Sequence, residues 1–264
     1  MRKAVVTGST KGIGFALARE LLRRGHSVVV TGRTQEAVDD AAARLESETT
    51  GDAEVHGRAV DVTDAAQVEK LWSAAVDALG GVDLWINNAG VANTTRPIVD
   101  TTAGDVRAMV TTNMLGTVYG SQVAVRGMSG SGGGQLFNIL GGGSDGRTRP
   151  GMGVYSATKR GLDSFTRSLV KEVKGTGVRV GQVSPGMLIT EGWLREAAAA
   201  PEQVRNQRKI LNILCDHVDD VAPYLVDRML ASTKNGDAVK WLTNTRMTRK
   251  FLTRNHDVLT RYGL

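Results

Sequence analysis

Thr7-Gly8-Ser9-Thr10-Lys11-Gly12-Ile13-Gly14 is the stretch on which the fold turns. It follows a β-branched run, Lys3–Thr7, and opens an amphipathic stretch, Gly12–Arg24. A strand that passes through a glycine-rich turn into a helix brings bare backbone N–H groups and the positive end of a helix dipole to one point. An anion such as a pyrophosphate binds there. Glycine allows the tight turn and lets a ligand approach the backbone closely. Such a turn alone could be an ordinary loop, but its place between the first strand and the first helix raises it above that.

Beyond this turn the pattern repeats. Ser27–Thr31, Glu54–Val60, Leu84–Asn87, Gln135–Leu140, Val178–Val183 and Ala238–Leu242 read as strands. Gln35–Glu48, Ala65–Leu79, Ala103–Met128, Val154–Lys174 and Val218–Ala231 read as helices. The alternation predicts a parallel sheet with helices on both faces, and right-handed crossovers make it doubly wound: an α/β fold of Rossmann type in a single domain over residues 1–244. Gly127–Gly134 is Gly/Ser-rich but short, a loop rather than a boundary. Residues 190–215 are too long for a simple connection and lie after a strand, where insertions shape substrate sites, so they are expected to form a lid.

The second strand ends in Thr31-Gly32-Arg33-Thr34. An acidic residue near this point holds the ribose 2′-hydroxyl of NAD. Here glycine and a guanidinium stand instead. A carboxylate would repel a 2′-phosphate, whereas Arg33 would bind one bidentately and Lys11 would add a second charge. The expected cofactor is therefore NADP(H), the plain alternative being two surface cations. Asp61-Val62 after the third strand fits an adenine-edge contact, although Asp61 could equally cap a helix.

Asn87-Asn88-Ala89-Gly90, Asn113, Tyr155-Ser156-Ala157-Thr158-Lys159 and Ser184-Pro185-Gly186 with Thr190 complete a set that resembles the short-chain dehydrogenase/reductase family from about Lys3 to Leu242. Within it, Phe137-Asn138-Ile139-Leu140-Gly141-Gly142-Gly143-Ser144-Asp145-Gly146-Arg147 and the following Tyr155–Arg160 look like the chlorophyll(ide) b reductase branch, which reduces a formyl group on a chlorin. The resemblance implies a cofactor site of Gly8, Thr10, Lys11, Gly12, Ile13, Gly14, Arg33, Asp61, Val62, Asn88, Ala89, Gly90, Tyr155, Lys159, Pro185, Gly186, Leu188 and Thr190. Backbone near Leu188 and the Thr190 hydroxyl would hold the nicotinamide carboxamide. It also implies a catalytic role for Asn113, whose backbone carbonyl would hold a water in a relay to Lys159; from the residues alone, Asn113 could instead mark a kink.

Tyr155 and Lys159 are four apart and share one helical face. An ordinary tyrosine titrates at about 10, too high for easy proton exchange at neutral pH, and a nearby ammonium favours the phenolate. The pair would exchange a proton with a carbonyl or alcohol oxygen while hydride moves to or from the carbon. By itself such a pair is common on exposed helices. The serine that most family members carry 13 residues before the tyrosine is replaced by Gly142; the nearest hydroxyl is Ser144, which either substitutes or yields the task to backbone N–H groups of Gly141–Gly143. That departure leaves a second reading, a catalytically weak NADPH-binding sensor or scaffold. Trp193 would either cover the substrate or pack in the core.

The 264 residues are 41% hydrophobic and carry a formal charge of +6. From Thr245 to Leu264 there are five Lys or Arg and one Asp, so this basic C-terminal tail holds +4 of it. An anionic cofactor and a solvated tail account for that charge better than nucleic acid, although Arg246, Arg249, Lys250 and Arg254 interleaved with Met247, Phe251 and Leu252 could form a basic amphipathic segment. Cys215 is the only cysteine, which rules out an internal disulfide and suits the cytoplasm. No metal site is expected from four histidines, no apolar run approaches a membrane span of ~20 residues, and no targeting presequence is read before the first strand. A homodimer or homotetramer is expected from the resemblance, with Gly116 and Gly120 letting middle helices approach closely, and a small-molecule carbonyl or alcohol as substrate.

Overall fold

The computed structural model describes residues 1–93, 96–253 and 258–262, apart from the side chain of residue 203. Its strands are β1 (Lys3–Val6), β2 (Ser27–Gly32), β3 (Val55–Ala59), β4 (Leu84–Asn87), β5 (Gly134–Ile139), β6 (Val178–Ser184), β7 (Met187–Ile189), β8 (Cys215–His217) and β9 (Ala238–Lys240). Seven of them form one parallel sheet in the order β3-β2-β1-β4-β5-β6-β9. The order reverses at β1, which pairs β2 on one side and β4 on the other. Outside the carboxyl ends of strands at such a point lies the crevice where open α/β sheets bind ligands.

The helices are α1 (Gly12–Arg23), α2 (Gln35–Glu48), α3 (Ala65–Leu79), α4 (Ala103–Val110), α5 (Gly116–Gly130), α6 (Gly153–Glu172), α7 (Glu191–Ala199), α8 (Pro201–Leu214), α9 (Val218–Ala231) and α10 (Asn244–Thr253). Side chains along a strand alternate between faces, and here both faces are covered. Ala4, Val6, Val28 and Val30 pack with Leu17 and Leu21 of α1 and Leu225 and Met229 of α9. Val5, Val29, Trp85 and Leu136 pack on the other face with Leu71 of α3 and Ala124 and Met128 of α5. Each fully buried Leu contributes about 1.5–3 kcal/mol.

Three helical features depart from the sequence reading. The stretch expected as one helix, Ala103–Met128, is α4 and α5 joined by a π-helical turn, Thr111–Leu115. A residue inserted into a helix in this way is characteristic of functional sites. Secondly, Gly116 and Gly120 face inward: a Cβ on Gly116 would lie 2.7 Å from Val62 Cγ2, and one on Gly120 would fall on the Asn87 side chain. Their smallness serves this chain's own core, not an approach between subunits. Thirdly, the described residues of the segment 245–264 are not simply a solvated tail. Helix α10 is docked, with Lys250 6% exposed, and Val258 and Leu259 are buried with Ile189, Leu211 and Cys215. Arg254, expected in the same basic segment, lies outside the described residues.

The insertion at 190–215 forms α7 and α8. It is bracketed by a ribbon absent from the sequence reading, β7 paired in parallel with β8.

Candidate active site

The glycine-rich turn is built by hydrogen bonds from the neighbouring strands. Ser9 donates from its hydroxyl to Val6 O (2.7 Å) and accepts from Thr31 N (2.9 Å), while Thr31 Oγ1 accepts from Gly8 N (3.1 Å). Gly8 and Gly12 sit at φ +62° and +58°, where a side chain is strained. A Cβ on Gly8 would lie 2.7 Å from Ala89 Cα, and one on Gly14 would fall on Asn88 Nδ2 and 2.5 Å from Gly8 O. The β4 turn therefore presses directly on the β1 turn. Asn88 fastens it, donating to Thr7 O and Gly8 O, both at 2.9 Å. No side chain caps the N-terminus of α1. Thr10, Lys11 and Ile13 fall within this turn and the start of α1.

Gly32 has a local reason as well: a Cβ there would come 2.5 Å from Thr10 Cγ2. Arg33 and Lys11 are exposed and make no hydrogen bond or ion pair with the described residues. Asp61 closes a turn, its Oδ1 accepting from Thr63 N (2.9 Å) and Oγ1 (2.8 Å). The cap of α3 is Asp64, which accepts from Ala66 N and Gln67 N. Asp61 is thus free of the capping task, and Val62 seats Gly116.

Three of the catalytic candidates, Tyr155, Lys159 and Asn113, converge at the ends of β4 and β5. A Cβ on Gly141 would fall on the Tyr155 hydroxyl and 3.3 Å from Lys159 Cε, while one on Gly90 would lie 3.7 Å from Lys159 Nζ and 3.2 Å from Asn113 Oδ1. Lys159 Nζ donates to Ile139 O at 3.1 Å and stands 5.8 Å from the centre of the Tyr155 ring. The Asn113 side chain, on the π turn, accepts from Val91 N (2.9 Å) and donates to Val91 O (2.9 Å) and Thr158 Oγ1 (3.1 Å). It pins the loop after β4 to α6.

The electrostatics differ from the expectation. Burial pushes the Tyr155 phenol up to about 12, and the Glu196 carboxylate on α7 adds to the rise. Burial pulls Lys159 down to about 8. Burial disfavours the phenolate, so the phenol holds its proton at neutral pH.

Gly141-Gly142-Gly143-Ser144 is a turn closed by Ser144 N–H on Gly141 O (3.2 Å), with Gly143 at φ +87°. That is the positive φ a type II turn requires of its third residue. A Cβ on Gly143 would strike Ser156, whose buried hydroxyl has no partner among the described residues. The Ser144 carbonyl accepts from Arg160 (2.9 Å), and its hydroxyl makes no hydrogen bond to the described residues.

Pro185 and Gly186 (φ +84°) lead from β6 into β7, where Leu188 is buried. Thr190 caps α7 through Trp193 N (3.2 Å), and its Cβ and Cγ2 would lie 3.6 Å from a Cβ on Gly12. The insertion at 190–215 thus starts directly over the glycine-rich turn. Trp193 is half-buried against the cluster around Ile189 and Leu211.

The pattern of a short chain dehydrogenase matches residues 2–200. The chain belongs to this family. The short-chain dehydrogenases and reductases are pyridine-nucleotide oxidoreductases, and within them this chain resembles the chlorophyll(ide) b reductase branch. It is 39% identical to a probable chloroplastic chlorophyll(ide) b reductase of Arabidopsis thaliana (NYC1), over 96% of this chain and 53% of that protein. It is 36% identical to the chloroplastic chlorophyll(ide) b reductase NOL of Arabidopsis thaliana, over 95% of this chain and 72% of that one. The chain spans about half the length of the NYC1 proteins of Arabidopsis and rice. Among solved structures, levodione reductase superposes with a TM-score of 0.82 at 26% identity, covering 93% of this chain and 97% of that one. The closed form of serine dehydrogenase complexed with NADP+ gives 0.78 at 26% identity, covering 92% and 95%. Among the described residues there is no metal-binding cluster, and no helix is long and apolar enough to cross a membrane.

Glu196 and the partnerless Ser156 hydroxyl are site features the sequence reading missed. Glu196 had no signal, because its approach to Tyr155 depends on how the 190–215 insertion folds back. Ser156 stands inside a quoted motif but gains meaning only from its contact with Gly143.

Proposed function

We propose that this chain is an NADP(H)-dependent reductase of a ketone or aldehyde, with Tyr155 as general acid and base and Lys159 as its electrostatic partner. One observation carries the reading: the Tyr155 hydroxyl and Lys159 meet at Gly141, beside Gly90 and the glycine-rich turn. The residues fit the cofactor. Uncapped N–H groups of α1 face a turn with no space for side chains at Gly8 and Gly14, and Arg33 after β2 and Lys11 in that turn are cations without a partner among the described residues. Asp61 and Val62 would line the adenine. Asn88, Ala89 and Gly90 would pass the ribose, and Pro185, Gly186, Leu188 and Thr190 would hold the nicotinamide end.

NADPH, when bound, supplies the hydride to the carbonyl carbon. Tyr155 gives its proton to the oxygen as charge develops there, and the product is the alcohol. The phenolate left behind is countered by Lys159, which lowers the cost of forming it, and is reprotonated from water. In oxidation the same groups run in reverse. Ser144, or the N–H groups of Gly141–Gly143, would orient the oxygen; losing one such donor typically costs about 10²–10³ in rate. The glycine run makes room for this chain's own Tyr155, Met152 and Ser156 side chains, and the branch the chain resembles points to a formyl-bearing tetrapyrrole.

Gly142 in place of the usual serine favours a second reading, a weak NADPH-binding sensor or scaffold. A panel of carbonyls followed at the nicotinamide absorbance separates the two. Tyr155→Phe is expected to lower turnover by about 10²–10⁴ while NADPH affinity is kept. NADPH binding with no turnover on any carbonyl would support the sensor. We also place the chain in the cytoplasm, on the strength of its single, unpaired Cys215; fractionation of cells expressing it would show otherwise.

A further inference from the structure

Helix α10 takes no part in the proposed chemistry, yet it reaches the floor of the lid. Lys250 is 6% exposed, and its Nζ lies 2.5 Å from Asp216 Oδ1 and 3.4 Å from Cys215 O. The other oxygen, Asp216 Oδ2, accepts from Trp241 Nε1 at 2.7 Å. Both oxygens of a nearly buried carboxylate are therefore satisfied by residues of the last 24 positions. Trp241 is held in turn: its N–H donates to Ser184 O (3.0 Å), and Arg246 stacks 3.6 Å over its ring and donates to its carbonyl (2.8 Å).

Asp216 is the central residue of β8, and its partner in the ribbon is Leu188. Two residues beyond Leu188 stands Thr190, against Gly12. On the other side of Leu188, Gly186 is in contact range of Trp241, where a Cβ would lie 3.2 Å from Trp241 Cδ1. A three-residue pair of strands cannot order itself by its own hydrogen bonds. Its position is set by what it is tied to, and removing one partner of a buried ion pair leaves an uncompensated charge.

We infer that Lys250 is a positioning residue: through Asp216 it pins the β7–β8 ribbon, and so sets Leu188 and Thr190 for the nicotinamide end of the cofactor. This rests on the cofactor reading above. It separates the two ends of the crevice, because the adenosine-phosphate end is carried by the glycine-rich turn and Arg33, which Lys250 does not touch.

The test compares binding of NADP+ with that of 2′,5′-ADP, which carries only the adenosine end, in the parent chain, in Lys250→Met and in the double variant Lys250→Met/Asp216→Asn. The double variant leaves no buried unpaired charge, and its melting transition reports that it folds. In both variants NADP+ affinity is expected to fall roughly 3- to 30-fold, while 2′,5′-ADP affinity stays within about twofold. Cys215, buried beside the pair, is expected to react with a thiol reagent faster than in the parent. A folded double variant that binds NADP+ as the parent does, with Cys215 still protected, overturns the inference. Equal losses for both ligands also overturn it, since a general loosening would produce them. If the parent binds neither ligand, the cofactor reading falls and this inference with it.

Discussion

Tyr155 and Lys159 show how two residues legible in the sequence acquire their properties only from burial. The motif placed them one turn apart, but not the sign of their shifts. Lys159 falls from 10.5 to about 8 and Tyr155 rises from 10.0 to about 12, because both lose water at the same point. The two shifts have opposite consequences for stability. Between pH 8 and 10.5 the unfolded chain holds a proton on Lys159 that the folded protein lacks, so stability rises with pH. Above pH 10 the folded protein keeps the Tyr155 proton that the unfolded chain has lost, and stability falls. A rise in the urea midpoint between about pH 8 and 10 is thus expected in the parent and should be smaller in Lys159→Met. An unchanged slope in the variant would refute the burial account. At the other end of the crevice, Arg33→Ala removes a cation with no other described partner. A charge-assisted contact of about 1.5–3 kcal/mol corresponds to a rise in KM for NADPH of about 10- to 100-fold, with KM for NADH little changed. A chain that already prefers NADH would contradict the role given to Arg33.

The elements follow from local pattern wherever burial is one-sided or uniform. The valine runs of β1 and β2 and the capped helices α2 and α3 are of this kind, with Thr34 and Asp64 as their caps. The break between α4 and α5 is different. Nothing in the sequence from Met109 to Val118 forbids a continuous helix, and the π turn exists because Asn113 is held by Val91 and Thr158 from two other segments. Beside it runs a buried polar chain: Trp85 Nε1 donates to Asn87 Oδ1 (2.7 Å), Asn87 Nδ2 to Asn138 Oδ1 (2.9 Å) and Asn138 Nδ2 to Thr166 Oγ1 (3.0 Å). Gly120 on α5 makes room for it. Gly120→Ala would drive a methyl into the Asn87 amide, and a buried donor left unsatisfied costs about 1–3 kcal/mol. A chemical-denaturation midpoint lowered accordingly is expected; a variant as stable as the parent would show that the network yields.

At the scale of the whole molecule, a homodimer or homotetramer is proposed, with Val110 (41% exposed) and Leu115 (39%) on the outer side of the α4–α5 junction as apolar surface available to it. Sedimentation should give the mass of two or four chains, and a monomer at micromolar concentration would remove the proposal. The sequence by itself determined the doubly wound sheet, the glycine-rich turn, the one-turn spacing of Tyr155 and Lys159 and the long insertion after the sixth strand. All of these rest on periodicity and on residue types needed at fixed spacing. Only the tertiary structure decided that the basic C-terminal segment is docked, that Asp216 and Lys250 meet, that Gly116 and Gly120 face inward, and which way burial moves the two site groups. These depend on contacts between segments far apart in the chain, and on the loss of water where they meet, which no local pattern records.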